Sequence, residues 1–195
     1  EMLRSLVGSE MCIRDRSKDE KHAVVSYVVE AVDGKVPLIA GIGGNNTQEV
    51  VNNIRQYDLS AISAVLSVAP YYNKPNQRGL FQHFKTIATW CPVPVIIYNV
   101  PGRAGCNISA DTCLELAHNC DNIIGVKEAS GDMSQIMKII KGKPENFDVL
   151  SGDDMLTLPV IAAGGSGVIS VLANAFPAAV TELVNNALRK NLCLF

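Results

Sequence analysis

The stretch "NIIGVKEASGD", Asn122 to Asp132, decides how this chain is read. Ile123 to Val126 is an apolar run of the kind a strand covered on both faces shows. An ammonium, Lys127, stands where that run ends, and the chain then turns polar and small. A lysine there is either a surface stem that follows a strand or an amine held in a dry pocket for chemistry.

Outward from this point the pattern repeats. "VPLIAGI" from Val36, "AISAVLSVA" from Ala61, "VPVIIYNV" from Val93, "FDVLSGD" from Phe147 and "GVISVLAN" from Gly167 read as further buried strands, six in all. Amphipathic helices lie between them. Ser17 with Glu20 forms a capping box ahead of Val24, Val28 and Val32. Asn46 with Glu49 repeats the device before Val50, Val51 and Ile54, and Asp132 with Gln135 before Ile136, Met137 and Ile140. Leu80, Phe81, Phe84, Ile87 and Ala88 follow helical spacing, as do Ala179, Val180, Leu183, Val184 and Leu188. Such alternation means right-handed crossovers and a parallel α/β sheet. An open doubly wound sheet and a (β/α)₈ barrel compete. "GIGGNN" at Gly41 has the wrong spacing for a dinucleotide fold. Asn45, Tyr72, Asn99, Arg103, Glu128 and Asp153 all follow the C-terminal ends of strands, where barrel enzymes keep their sites. The expectation is a TIM barrel with about six of its eight strands, the first two missing.

The bulk numbers bound the function. The 195 residues suffice for one domain with a real core, and a net charge of −2 without any Lys/Arg run excludes a nucleic-acid footprint. No apolar run approaches the ~20 residues of a membrane span. The six cysteines have no CxxC or zinc spacing and read as free, buried or half-buried thiols. The first sixteen residues, "EMLRSLVGSEMCIRDR", have no strand or helix period and are set outside the fold as a non-native leader; a native N-terminal arm is the other reading. Residues 17–190 form the barrel domain, and 191–195 read as a truncated tail.

The polar residues suggest a reaction. At the reference pKa about one lysine amine in 2500 is neutral at pH 7, and burial that lowers the pKa by ~3 units makes a third available for attack on a ketone. Alternation along the strand turns Gly125 and Lys127 inward and Ile124 and Val126 toward the helices, with Gly125 leaving room beneath the lysine and Glu128 facing away from it. Tyr71, Tyr72 and Tyr98 offer phenols for proton relay, and Arg103 a fork for a carboxylate. The set suits Schiff-base aldol chemistry on a keto acid. Against it stand plain readings: a surface lysine, snorkelling tyrosines, Asp153 and Asp154 as helix caps, and His22, His83 and His118 as helical residues without catalytic roles.

At these residues the sequence resembles the dihydrodipicolinate synthase (4-hydroxy-tetrahydrodipicolinate synthase) family, a class I aldolase family related to N-acetylneuraminate lyase. The resemblance runs from about Ser17 to about Lys190. It rests on "PYYNKP", "YNVPGRAG", "IIGVKEASGD", "LSGDD" and "GGSGVISVLAN", in the family's order. It implies a lyase of lysine and diaminopimelate biosynthesis that condenses pyruvate with L-aspartate 4-semialdehyde. No metal or organic cofactor takes part; pyruvate is held as an imine on Lys127. Tyr98 matches the proton-shuttling tyrosine near the pyruvate carboxylate, and Tyr72 the tyrosine donated across the tight dimer interface. Arg103 matches the arginine that recognises the carboxylate of the semialdehyde. Gly152 and Ile169 match positions lining the pyruvate pocket. Tyr71, Gly43, Asn45 and Glu49 match an allosteric lysine site; Lys18 and Lys21 stand where lysine-sensitive members carry histidines, so weak or no inhibition is expected. Family members are usually cytoplasmic homotetramers, built as dimers of dimers, and the charge and apolar-run pattern adds the expectation of no nucleic-acid or membrane partner. The family's "GTTGE" loop, whose threonines bind pyruvate, has no counterpart here, so impaired turnover is expected. A different pyruvate aldolase of the N-acetylneuraminate or 2-keto-3-deoxy acid lyase type, a non-catalytic barrel fragment, and a phosphate-binding barrel using Gly164 to Gly167 are the alternatives.

Overall fold

The computed structural model describes residues 16–190, together with the strand Ser5–Val7. Seven strands form one parallel sheet in sequence order: β1 (Ser5–Val7), β2 (Leu38–Gly41), β3 (Ala64–Val68), β4 (Val95–Asn99), β5 (Ile123–Glu128), β6 (Asp148–Ser151) and β7 (Gly167–Val168). All six expected strands are present. The seventh, β1, comes from the segment set outside the fold and pairs Ser5 with Leu38 and Val7 with Ala40. Three residues are too few to show a period, so sequence pattern could not place it. No pairing joins β7 to β1 among the described residues, and the sheet is a curled, open part of an α/β barrel.

Among the described residues eight helices accompany the strands: α1 (Lys18–Val32), α2 (Thr47–Gln56), α3 (Gln77–Trp90), α4 (Pro101–Ala104), α5 (Ala110–Asn119), α6 (Met133–Gly142), α7 (Thr157–Ala162) and α8 (Pro177–Leu188). Their starts are chemically legible. Ser17 caps α1 through the Glu20 amide while Glu20 returns to the Ser17 amide at 2.7 Å. Asn46 and Asp132 cap α2 and α6 one way only, since neither Glu49 nor Gln135 reaches back. Gln135 is engaged elsewhere, and this turns out to matter for the site. The reading of the sequence named no apolar stripe for α5, although Cys113 and Leu116 bury one.

The core lies between the sheet and the helices. Leu80, Phe84 and Ile87 of α3, Leu116 of α5, and Ile136 and Ile139 of α6 are sealed against Val65, Val95, Ile97 and Val126. Each such side chain contributes roughly 1.5–3 kcal/mol. α1 buries no residue fully; its valines pack only partly against the core.

Strand β7 is shorter than the sequence suggests. After Val168 only the Ile169 amide continues the ladder, donating to the Ser151 carbonyl at 2.9 Å. The amides of Val171 and Leu172 donate instead to the Asp154 carboxylate, and Leu172–Asn174 closes into a single 3₁₀ turn. A carboxylate acceptor just beyond the neighbouring strand β6 ends the strand where the apolar run alone would have extended it.

Candidate active site

Strands β4 and β5 set the site. In the ladder Val95 pairs with Ile123, but Ile96 pairs with Gly125, so β5 carries one extra residue at Ile124. From there on the two strands run in step, and Lys127 falls opposite Tyr98. The Lys127 Nζ lies 4.1 Å from the centroid of the Tyr98 ring. Lys127 is 2% exposed and Tyr98 9%. A cation held over an aromatic face out of water is attracted by the ring quadrupole.

The row of paired residues that holds this contact runs Val68, Tyr98, Lys127, Leu150, Gly167. Gly152 and Ile169 lie two residues beyond Leu150 and Gly167, on the same face and one step closer to the strand ends. A side chain at Gly152 would stand 3.2 Å from Lys127 Cε, 2.7 Å from Ala129 Cβ and 3.2 Å from the Glu128 carbonyl. The space beside the lysine therefore exists because residue 152 has no side chain. Gly125 acts differently from the expectation. A Cβ there would meet the Asp148 carbonyl at 2.7 Å, so this glycine admits the neighbouring strand rather than the lysine.

On the opposite face Glu128, 1% exposed, points among the helices, as alternation requires. It accepts from the Ser130 amide at 2.7 Å, from Asn99 Nδ2 at 3.1 and 3.2 Å and from Gln135 Nε2 at 3.0 Å. Pattern reading noted Asn99 and Glu128 at strand ends without a role, took Gln135 only as a capping partner of Asp132, and passed over Asn107. The available signal was that a buried amide at the end of an apolar strand must find partners.

Arg103 is exposed, on the four-residue helix α4 that Pro101 opens and Gly105, at φ 73°, closes. Its loop abuts the Tyr71–Tyr72 loop: the Cys106 thiol donates to the Pro70 carbonyl at 3.1 Å. Tyr72 is 88% exposed, with a left-handed φ of 72°. That conformation is strained for a residue with a side chain. Tyr72 thus points out of its own chain and does not join Lys127 and Tyr98 there.

Tyr71, Gly43, Asn45 and Glu49 are brought together, with Lys18, Lys21 and Asn53, around a cavity of about 190 Å³. Lys18 Nζ stands 3.8 Å from the Glu49 carboxylate. Asp153 caps the 3₁₀ turn at Asp154 by accepting from the Met155 amide. The three histidines lie in helices. Cys91, Cys113 and Cys120 are buried free thiols and Cys106 a half-buried one; Cys12 and Cys193 lie outside the described residues. Burial, and the Glu128 carboxylate behind it, push the Cys113 thiol up, away from nucleophilic use. Among the described residues no group of three or more His, Cys, Asp or Glu side chains is placed to hold a metal ion, and no helix is long and apolar enough to cross a membrane.

A sequence profile described as the dihydrodipicolinate synthetase family matches residues 12–192. The chain belongs to the dihydrodipicolinate synthetase family. A 4-hydroxy-tetrahydrodipicolinate synthase of Flavobacterium psychrophilum is 53% identical over 176 residues, 90% of this chain and 60% of that protein. The crystal structure of dihydrodipicolinate synthase from Aquifex aeolicus superposes with a TM-score of 0.91 at 42% identity, covering 97% of this chain and 65% of that one. The chloride-inhibited dihydrodipicolinate synthase of Acinetobacter baumannii complexed with pyruvate gives 0.91 at 37% identity, covering 96% and 64%. The chain thus spans about 60% of the length of the synthases it matches, and it holds the part of the dihydrodipicolinate synthetase barrel that carries Lys127 and Tyr98.

Proposed function

We propose that this chain carries the pyruvate-binding centre of a 4-hydroxy-tetrahydrodipicolinate synthase, a lyase of lysine and diaminopimelate biosynthesis. The observation that carries the reading is the buried Lys127 amine, 4.1 Å from the Tyr98 ring centroid and beside the space left at Gly152. The neutral amine adds to the pyruvate ketone, and loss of water gives an imine. Loss of a methyl proton gives an enamine, whose carbon attacks the aldehyde of L-aspartate 4-semialdehyde. Attack by the product's own amine on the imine closes the ring and returns the lysine. The imine is itself the electron sink, so the chemistry calls for no metal or organic cofactor.

In this reading Tyr98 moves protons beside the imine, Gly152 and Ile169 wall the pyruvate, and Arg103 holds the carboxylate of the semialdehyde in its planar fork. Tyr72 serves the site of a second copy; its exposure and strained backbone support that assignment. A homotetramer built as a dimer of dimers, working in the cytoplasm, follows from the same reading. The cavity around Tyr71, Gly43, Asn45 and Glu49 is the regulatory site, with Lys18 already paired to the carboxylate that a ligand ammonium would need.

The test is substrate choice. The chain is incubated with pyruvate and either L-aspartate 4-semialdehyde or N-acetylmannosamine, and products are followed by mass. Pyruvate loss with the semialdehyde alone is expected. Loss with N-acetylmannosamine, or with neither aldehyde, contradicts the reading.

A further inference from the structure

We propose that Glu128 is a positioning residue: its buried carboxylate sets Lys127 against Tyr98 and ties that pair to the loop carrying Arg103. The inference rests on the assignment of Lys127 as the imine-forming amine.

Glu128 and Asn99 directly follow Lys127 and Tyr98, and they pair with each other in the ladder as those two do. Their side chains meet on the helix-facing side, as those of Lys127 and Tyr98 meet on the other. Asn99 is held in one orientation because its Oδ1 accepts from the Ile108 amide at 2.9 Å. Its Nδ2 then donates to both Glu128 oxygens and to Asn107 Oδ1 at 2.8 Å. Asn107 and Ile108 end the loop that α4 begins, so the arginine loop is anchored through Asn99. Gln135 of α6 closes the circle, donating to Glu128 Oε2 and exchanging bonds with Asn107. The backbone is pinned on both sides: the Ala129 amide donates to the Asn99 carbonyl at 2.9 Å and the Gly152 amide to the Glu128 carbonyl at 2.7 Å.

Every neighbour of the Glu128 side chain in this network is a donor. A carboxylate accepts from all of them at once, whereas an amide would turn an NH₂ group toward one. The lysine stem has four flexible carbons, so the position of its amine depends on how firmly its base is held. Anchoring the next residue on the far face fixes that base from outside the pocket. A buried network of this kind specifies one arrangement only when each member is satisfied.

The experiment reads position and chemistry separately, on the whole chain. With ¹³C-labelled lysine, the Lys127 ε-methylene under the Tyr98 ring gives an upfield-shifted signal, assigned by its loss in Lys127→Arg. In Glu128→Gln that signal is expected to move back among the other lysines. Borohydride trapping of pyruvate on Lys127 is expected to slow on the order of tenfold or more, as small misplacements do. The milder Gln135→Met keeps the test open if Glu128→Gln does not fold, with a smaller shift in the same direction. The double variant Glu128→Gln, Gln135→Glu restores an acceptor opposite a donor and is expected to recover the signal. An unshifted Lys127 signal in Glu128→Gln or Gln135→Met, whatever the melting temperature, overturns the proposal. Failure of the unaltered chain to trap pyruvate would instead strike the proposed function, while the signal still decides the positioning role.

Discussion

Lys127 stands opposite Tyr98 because β5 holds one residue more than β4, at Ile124. Were Ile124 paired with Ile96 in a regular ladder begun at Val95 and Ile123, Val126 would stand opposite Tyr98 and Lys127 opposite Asn99. A one-residue slip in a strand also exchanges its faces. Because Ile124 is left out of the pairing, the amine faces the pocket side.

Deleting Ile124 tests this. The shortened strand keeps Val95 opposite Ile123 and Ile96 opposite Gly125, so it is expected to keep Lys127 opposite Tyr98 and to retain pyruvate trapping on it. Circular dichroism checks that the helices persist. Loss of trapping in a deletion variant that keeps its helices would show that the register from Gly125 to Glu128 does not place the amine.

Gly152→Ala is expected to disturb both fold and chemistry. The added Cβ would press on Ala129 Cβ at 2.7 Å and Lys127 Cε at 3.2 Å. Overpacking of this kind costs about 1–3 kcal/mol, read by urea denaturation. Trapping should fall further than stability explains, since the methyl group occupies the space beside the amine. Gly125→Ala is the control: it strains the strand against Asp148, with no group placed beside the amine.

The β4–β5 pair and the end of β7 show what the sequence could say. Lys127 was legible because an ammonium after four apolar residues violates the pattern of a covered strand. Ile124 was not, because an extra isoleucine beside Ile123 looks like ordinary strand. Glu128 faced away from Lys127 as alternation requires, but its partners Asn99 and Gln135 lie 29 and 7 residues away and only the fold joins them. The end of β7 was misjudged because Val171 and Leu172 are apolar, and their amides go to a carboxylate the pattern treated as a cap.

The cavity beside Glu49 carries a charge prediction. Lys18 and Lys21 put two cations where a lysine ligand would bring a third. Replacing both by histidine is expected to strengthen lysine binding about tenfold at pH 7.5, measured by calorimetry, because neutral imidazoles remove the repulsion. Equal or weaker binding in the double variant would show that these charges do not govern the site.

Acid should destabilise the chain through His83. Its ring is 4% exposed, Nδ1 is bonded to Thr47 Oγ1 at 2.8 Å, and Nε2 has no partner. Burial pushes it down from 6.5 to about 4. In the unfolded chain it protonates first, so the unfolded state binds more protons below pH 6.5. Stability is fully present above that pH and is lost as pH falls toward 4, by about 3 kcal/mol across the window. His83→Gln is expected to flatten the pH dependence of the melting temperature between 7 and 4.5. An unchanged slope would place the acid sensitivity elsewhere.

The most direct measurement of the central claim is borohydride reduction of the chain in the presence of pyruvate, followed by peptide mass mapping. A pyruvate-derived adduct is expected on Lys127 and on no other lysine, absent without pyruvate and absent in Lys127→Arg. An adduct on another lysine, or none in a chain shown to be folded, would contradict it.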